Sequence, residues 1–177
     1  MGDILVARTF YGYPDKFYVG DRIEISYGGK YTATCQKVKK NGEAIFLLDQ
    51  VFPKNVTRDQ AIAYANFYQQ GLFKASVREA IVPFKNGDIL RLPYSEEIFG
   101  NLYFVEPSGK KQWELMKIAK NRIAVDLDGD SCWYWLANQH KDGAMNSPCA
   151  CSTGNSAYYD ADSKGIAVRP VFKLKID

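Results

Sequence analysis

The spacing of apolar residues along the chain changes period twice. Arg22-Ile23-Glu24-Ile25-Ser26-Tyr27 alternates polar and apolar positions, which predicts a half-buried strand. Gly28-Gly29 is a turn signal, so Tyr31 to Val38 is expected to return as its antiparallel partner. Asn41-Gly42 marks a second turn into a buried strand, Glu43 to Asp49, and the three strands together predict a meander. Upstream, residues 3–7 alternate weakly and predict an edge strand. Phe10 to Tyr18 is aromatic, with Gly12 and Pro14, and predicts a packed irregular loop.

After Pro53 the period becomes helical. Thr57-Arg58-Asp59-Gln60 has the form of a capping box, a hydroxyl at the cap and Gln three residues on. Ala61, Ile62, Ala65, Tyr68 and Gln69 follow at helical spacing, predicting a helix over 57–70 that stops at Gly71. A shorter helix is expected from Lys74 to Ile81, ended by Pro83. Asp88 to Leu92 predicts a short strand, and Ser95-Glu96-Glu97 a single helical turn with its acidic residues where the helix dipole favours them. Gln112 to Lys120 is expected to be helical, and Asn121 to Asp126 a strand.

The period then returns to that of strands. Ser131 to Ala137 is an aromatic strand in which Trp133 and Trp135 share one face and Tyr134 the other; the Trp pair is expected in the core, with Tyr134 outward. Gly165 to Leu174 is an apolar strand, in which Arg169 needs a carboxylate or carbonyl partner if buried. Between the two, Asn138 to Ser163 is polar and lacks the means to form a core, as expected of a binding loop on a rigid sheet. The fold class is α+β, with 1–177 as one domain and 131–163 as its ligand-binding segment. No internal repeat or linker is visible.

Composition narrows the function classes. The 177 residues carry 46% hydrophobic and 14% aromatic residues, an ordinary globular balance rich in Tyr, which suits adaptable binding surfaces. The net charge of +3 is too small to argue for nucleic acid. Pairs such as Lys39-Lys40 and Lys110-Lys111 read as solvated turn charges. No apolar run reaches the ~20 residues of a membrane span, and Met1 to Arg8 lacks the basic and apolar regions of a secretory signal. Any display on a surface would therefore need another component. The four cysteines, Cys35, Cys132, Cys149 and Cys151, are expected to be free thiols, since Cys149-Ala150-Cys151 is too tightly spaced for a mutual disulfide or a zinc knuckle. Asp126-Leu127-Asp128-Gly129-Asp130 lacks the Glu that closes a calcium loop and reads as an Asp-rich turn.

Trp133-Tyr134-Trp135-Leu136, Tyr158-Tyr159 and Val168-Arg169-Pro170-Val171-Phe172 stand in an order that resembles a bacterial and phage domain family. In that family a W-x-W-L-R-S-P strand is followed by a Ser/Asn-rich segment and a G-V-R-P-A-F strand. Ala75 to Ala80, Leu92 to Gly100 and Asn121 to Ala124 fit upstream, so the resemblance runs from about Asp21 onward. The pattern also looks like the C-type lectin fold of variable proteins from diversity-generating retroelements. Such a resemblance implies short antiparallel sheets, two or three helices and a long irregular C-terminal loop region. It also implies that AAC-type Asn codons in the last third are rewritten at template adenines. Those codons reach Asn, Asp, Ser, Tyr, His, Cys, Gly and Ala, but not Trp, Met, Lys, Gln or Glu.

The binding residues this implies are Tyr134, Asn138, His140, Asp142, Asn146, Cys149, Cys151, Ser152, Asn155, Tyr158 and Asp160. Trp133, Trp135, Gln139, Lys141 and Met145 would be scaffold. The chain departs from the family where Ala137-Asn138-Gln139 replaces Arg-Ser-Pro: either the strand ends differently, or Asn138 is already diversified. The implied function is binding of a protein or glycan on another cell or virus, with no cofactor, metal, catalysis, nucleic acid or membrane insertion. The alternative is an enzyme resembling the formylglycine-generating oxidases, which share the lectin-like fold and use a cysteine pair; here that pair would be Cys149 and Cys151. His140 with these two cysteines lacks a fourth metal ligand.

Overall fold

The computed structural model describes residues 9–10, 16–52, 56–143 and 145–175. The edge strand expected over residues 3–7 lies outside them, as does most of the loop expected from Phe10 to Tyr18. The architecture is α+β, with short antiparallel sheets and few helices.

The largest sheet contains β1 (Thr9–Phe10), β2 (Arg22–Glu24), β3 (Thr32–Val38), β4 (Glu43–Leu48) and β10 (Val171–Lys175), in that order. The expected meander is present: β2, β3 and β4 pair antiparallel across the two glycine turns. β10 then pairs antiparallel with β4, from Val171 opposite Leu47 to Lys175 opposite Glu43, so the end of the chain closes the sheet begun near its start. A bulge between Cys35 and Lys37 interrupts the β3–β4 register.

Two helices follow the meander, α1 (Ala61–Leu72) and α2 (Ala75–Ala80). Gln60 caps as its position predicts, accepting from the Thr57 amide at 3.3 Å, but α1 begins only at Ala61 and runs through Gly71. The single turn α3 (Ser95–Phe99) is held by Glu97, whose carboxylate accepts from the Tyr94 amide at 2.9 Å and grips Arg91 bidentately at 2.7 and 2.8 Å. The expected strand at Asp88–Leu92 is reduced to one bridge, Arg91 to Val171. The helix expected at Gln112–Lys120 is replaced by two 3₁₀ turns, Glu114–Lys117 and Ala119–Arg122.

The last third departs most from expectation. The aromatic strand is divided at Trp133. β6 (Ser131–Cys132) pairs with β5 (Ala124–Val125), across a turn in which Asp126 Oδ1 accepts from the Asp128 and Asp130 amides. β7 (Tyr134–Trp135) pairs with β8 (Asn146–Ala150), which pairs in turn with β9 (Ser156–Asp160). The polar stretch expected to be an irregular loop is thus largely a hairpin. Its central strand tolerates Pro148 because that residue's carbonyl faces β7, accepting from the Leu136 amide at 3.0 Å just past the last paired residue. The missing N–H falls on the same side, where the ladder is ending.

Two buried clusters lie on opposite faces of the strands. Phe46, Leu48, Trp135, Cys149 and Phe172 belong to one; Ile45, Leu47, Tyr134, Ala150 and Val171 belong to the other. Successive residues of β4 and β7 therefore point into different cores, as do Cys149 and Ala150 at the end of β8. Hence Tyr134 is not outward as expected. It is fully buried in the second cluster, while Trp135 is buried in the first and Trp133 is only half-buried.

Arg169 ties the two halves together. It is 4% exposed, and its Nε donates to the Leu48 carbonyl at 2.7 Å. Nη1 lies 3.4 and 3.5 Å from the carbonyls of Asn121 and Arg122 and 3.2 Å from Tyr134 Oη, and the guanidinium sits 5.2 Å from the Tyr134 ring centre. The carbonyl partner expected from the sequence is what the residue finds. Arg169→Met should destabilise the fold by ~3 kcal/mol or more, because it leaves buried carbonyls without donors. Denaturant unfolding of the two proteins measures this; a change below ~1 kcal/mol would contradict the role assigned to Arg169.

Candidate functional site

The β8–β9 hairpin sorts the sequence-derived candidates by cross-strand register. Pairs directly opposite share a face. Ser147 with Tyr159 and Cys149 with Ala157 form one face, on which Tyr159 meets Trp133 edge-to-face at 6.0 Å. Asn146 with Asp160 and Pro148 with Tyr158 form the other.

On that second face an aromatic platform is built from three segments. Tyr158 packs 4.7 Å from the His140 ring and 5.3 Å from Phe104, and His140 stacks on Phe104 at 5.7 Å. Tyr103 lies edge-on to Phe104 at 5.4 Å. Phe104 and His140 are buried and form the base; Tyr103 is 85% exposed and Tyr158 50%. Antiparallel bonding between residues 104–106 and 139–141 joins this base to the chain leaving β7. Around the platform stand Asp142, Asn146 and Asp160, all exposed, with Met145 at 85%. The Asn146 side chain makes no hydrogen bond among the described residues, and Asp160 uses one oxygen on the Asp162 amide at 2.9 Å. Cys151, Ser152 and Asn155 lie beyond it, at the far turn of the hairpin.

Four candidates are not surface residues. Tyr134 is interior, donating from its hydroxyl to the Arg122 carbonyl at 2.7 Å. Asn138 is buried with its amide fully used: Oδ1 accepts from the Ser95 amide at 2.6 Å, and Nδ2 donates to Glu96 at 2.7 Å and to the Glu106 carbonyl at 2.9 Å. His140 is buried under Tyr158; its Nδ1 accepts from the Asp142 amide at 3.1 Å, which puts the ring proton on Nε2, buried without an acceptor among the described residues. Cys149 faces the first core. Spacing could not separate these from the exposed set, because the burial follows from a strand pairing that the polar composition conceals. Sequence reasoning also missed Tyr103 and Phe104, whose proximity to His140 is a long-range contact with no local signal.

The far turn is constrained as well. Gly154 has φ of +83°, and a Cβ there would stand 2.8 Å from the Ala119 carbonyl oxygen. Its own carbonyl accepts from Arg122 Nε at 2.9 Å. The turn is therefore seated on the Ala119–Arg122 segment.

Three groups near the site have altered acidity. Burial disfavours the Glu96 carboxylate, but hydrogen bonds from the Ser108 hydroxyl and amide and from Asn138 outweigh it and hold its pKa at about 2. Because the folded value lies below the ordinary 4.5, the stabilisation is present above pH 4.5 and is lost as pH falls toward 2. Glu96→Gln should flatten the stability–pH profile between those limits relative to the parent, by ~3 kcal/mol. Melting curves at stepped pH test this, and parallel profiles would refute it.

Burial pushes the Cys149 thiol up to about 12, with the neighbouring Cys151 adding to the shift, so it is held protonated at neutral pH. Cys151 is half-buried; burial opposes its ionisation, but bonds from Thr153, whose hydroxyl lies 2.9 Å from Sγ, and from the Asn155 backbone lower its pKa. All four cysteines are free, and among the described residues no cluster of His, Cys, Asp or Glu is arranged to hold a metal ion. Iodoacetamide at pH 8 should label the native protein at Cys151 and leave Cys35, Cys132 and Cys149 unlabelled until it is unfolded. Mass spectrometry reads this directly; equal labelling of Cys149 would overturn the assignment.

Comparison with models of protein families, with curated proteins and with solved structures finds no significant match to this chain. Among the described residues, no helix is long and apolar enough to cross a membrane.

Proposed function

We propose that this protein is a ligand-binding, receptor- or adhesin-like molecule. In this reading its C-type lectin-type scaffold presents a variable surface of the kind diversified by retroelements. Its partner is a protein or glycan on another cell or virus, and it performs no chemistry. The observation that carries the reading is the exposed Tyr158–Tyr103 platform on a buried His140–Phe104 base, ringed by Asp142, Asn146 and Asp160. Aromatic rings with two side-chain torsions give large contact area at small entropic cost, and exposed amides and carboxylates add adaptable hydrogen bonding. Their support by packed strands lowers the ordering cost of association.

The binding set is Asp142, Asn146, Cys151, Ser152, Asn155, Tyr158 and Asp160, with Tyr103 and Met145 added; Tyr134, Asn138, His140 and Cys149 support it from beneath. The cysteine-pair enzyme draws no support from Cys149, since an oxidase needs a thiolate and this thiol is buried and protonated.

Related copies of the gene should differ at codons 142, 146, 151, 152, 155, 158 and 160 and agree at 138, 140 and 149. A nearby reverse transcriptase and a template repeat differing only at adenines should accompany them. In binding assays on arrayed glycans and surface proteins, any ligand of the parent should be lost at least tenfold in Tyr158→Ala and Asn146→Lys, with the melting temperature moved by no more than ~2 °C. Variation concentrated at 138, 140 and 149, or ligands indifferent to both substitutions, would sink the proposal.

A further inference from the structure

Lysines that look scattered in sequence gather on another part of the molecule. A cleft of about 830 Å³ is lined by the end of β3, the segment around Phe84 and Lys85, the face of α3 that carries Glu97, and residues 110–114. None of its residues belongs to β7, β8 or β9, so it is separate from the platform described above. Seven of the lining residues are Lys or Arg and two are Glu, a local excess greater than the net charge of the whole chain.

The ion pairs decide which of these charges are available. Arg91 is taken by Glu97. Lys39 and Lys173 share Glu43 at 3.6 and 3.4 Å, and Glu114 is engaged by Lys117 at 2.7 Å. That leaves Lys37, Lys85, Lys110 and Lys111, all exposed and none with a carboxylate within ion-pair distance among the described residues. Four like charges around one concavity repel one another, and a multivalent anion would relieve that repulsion.

The aromatic residues narrow the ligand further. The Phe84 ring lies 5.0 Å from the Arg91 guanidinium and 5.2 Å from the Lys173 ammonium; the Tyr94 ring lies 5.0 Å from Arg91 and 5.6 Å from Lys110. Trp113 is buried. The rings therefore carry cations and are not free stacking surfaces, which disfavours a nucleobase or other flat ligand. The volume falls within the ~300–1,000 Å³ of small-molecule sites.

We infer that this cleft binds a small, non-aromatic polyanion bearing clustered phosphate or sulfate esters. Lys37, Lys85, Lys110 and Lys111 meet the ester oxygens, while Arg91, fixed by Glu97 and the two rings, shapes the floor.

The test is calorimetry on the full chain with three probes: inositol hexakisphosphate, a heparin-derived tetrasaccharide, and a single-stranded DNA oligonucleotide of comparable charge. The phosphate or the sulfate ester should bind, and which of them binds identifies the source of the anion. Raising ionic strength from ~0.05 to ~0.3 M should weaken it about tenfold. Lys85→Glu and Lys111→Glu, both at exposed positions, should each weaken binding at least tenfold, while Lys120→Glu, exposed but outside the cleft, should leave it unchanged. Failure of both esters to bind, equal weakening by Lys120→Glu, or tighter binding of the oligonucleotide would overturn the inference.

Discussion

A guanidinium buried with no carboxylate partner among the described residues is the constraint on which much of this structure depends. Arg169 stands where the end of β4, the Ala119–Arg122 turn and the Tyr134 hydroxyl converge, and among the described residues carbonyls, a phenol and a ring face meet its charge. Carbonyl dipoles stabilise a cation only if they are held in place, since a buried charge among loose dipoles loses its hydration without replacement. The position of Arg169 therefore requires β4, β7 and the 119–122 segment to be fixed together. Arg122 extends the arrangement outward, passing from the Met116 carbonyl to that of Gly154 and so to the hairpin turn. The frame beneath the exposed platform is continuous with this network.

Much of the frame was legible in the sequence, where local signals and burial agree. Gly28-Gly29 and Asn41-Gly42 lie between strands that pair as their alternation predicts, and Gln60 caps the backbone it should. The failures share a cause. Gln112–Lys120 has helical spacing, yet Trp113, Leu115 and Met116 are drawn into the second cluster by tight turns, so tertiary contact overrides local preference. Asn146-Ser147-Pro148-Cys149-Ala150 has neither large apolar residues nor strict alternation, and contains a proline. It is a strand because it pairs with both β7 and β9, which puts Cys149 in one cluster and Ala150 in the other.

The candidate surface was legible only in composition. Residue type correctly marked the last third as unusual, but could not say that Asn138 would be consumed by Ser95, Glu96 and Glu106, or that His140 would lie beneath Tyr158. Both depend on the 93–108 segment, more than 30 residues upstream, packing against the strand exit. The lysine cleft was illegible for the same reason: its cations come from separate stretches, and their proximity is a property of the fold.

β4 has apolar side chains at Ala44, Ile45, Phe46, Leu47 and Leu48, and both of its faces meet a core. Hydrophobicity by itself hardly distinguishes one alignment of this strand from a neighbouring one, because sliding it by a single residue would exchange one set of greasy groups for another. Something other than oil and water must therefore choose the alignment. The Asn41-Gly42 turn, the bulge at Gln36 and the lone cation gripping the Leu48 carbonyl are the fixed points available. Errors during folding should accordingly take the form of a shifted strand with its interior still dry, a compact mistake that exposed hydrophobic surface would not betray.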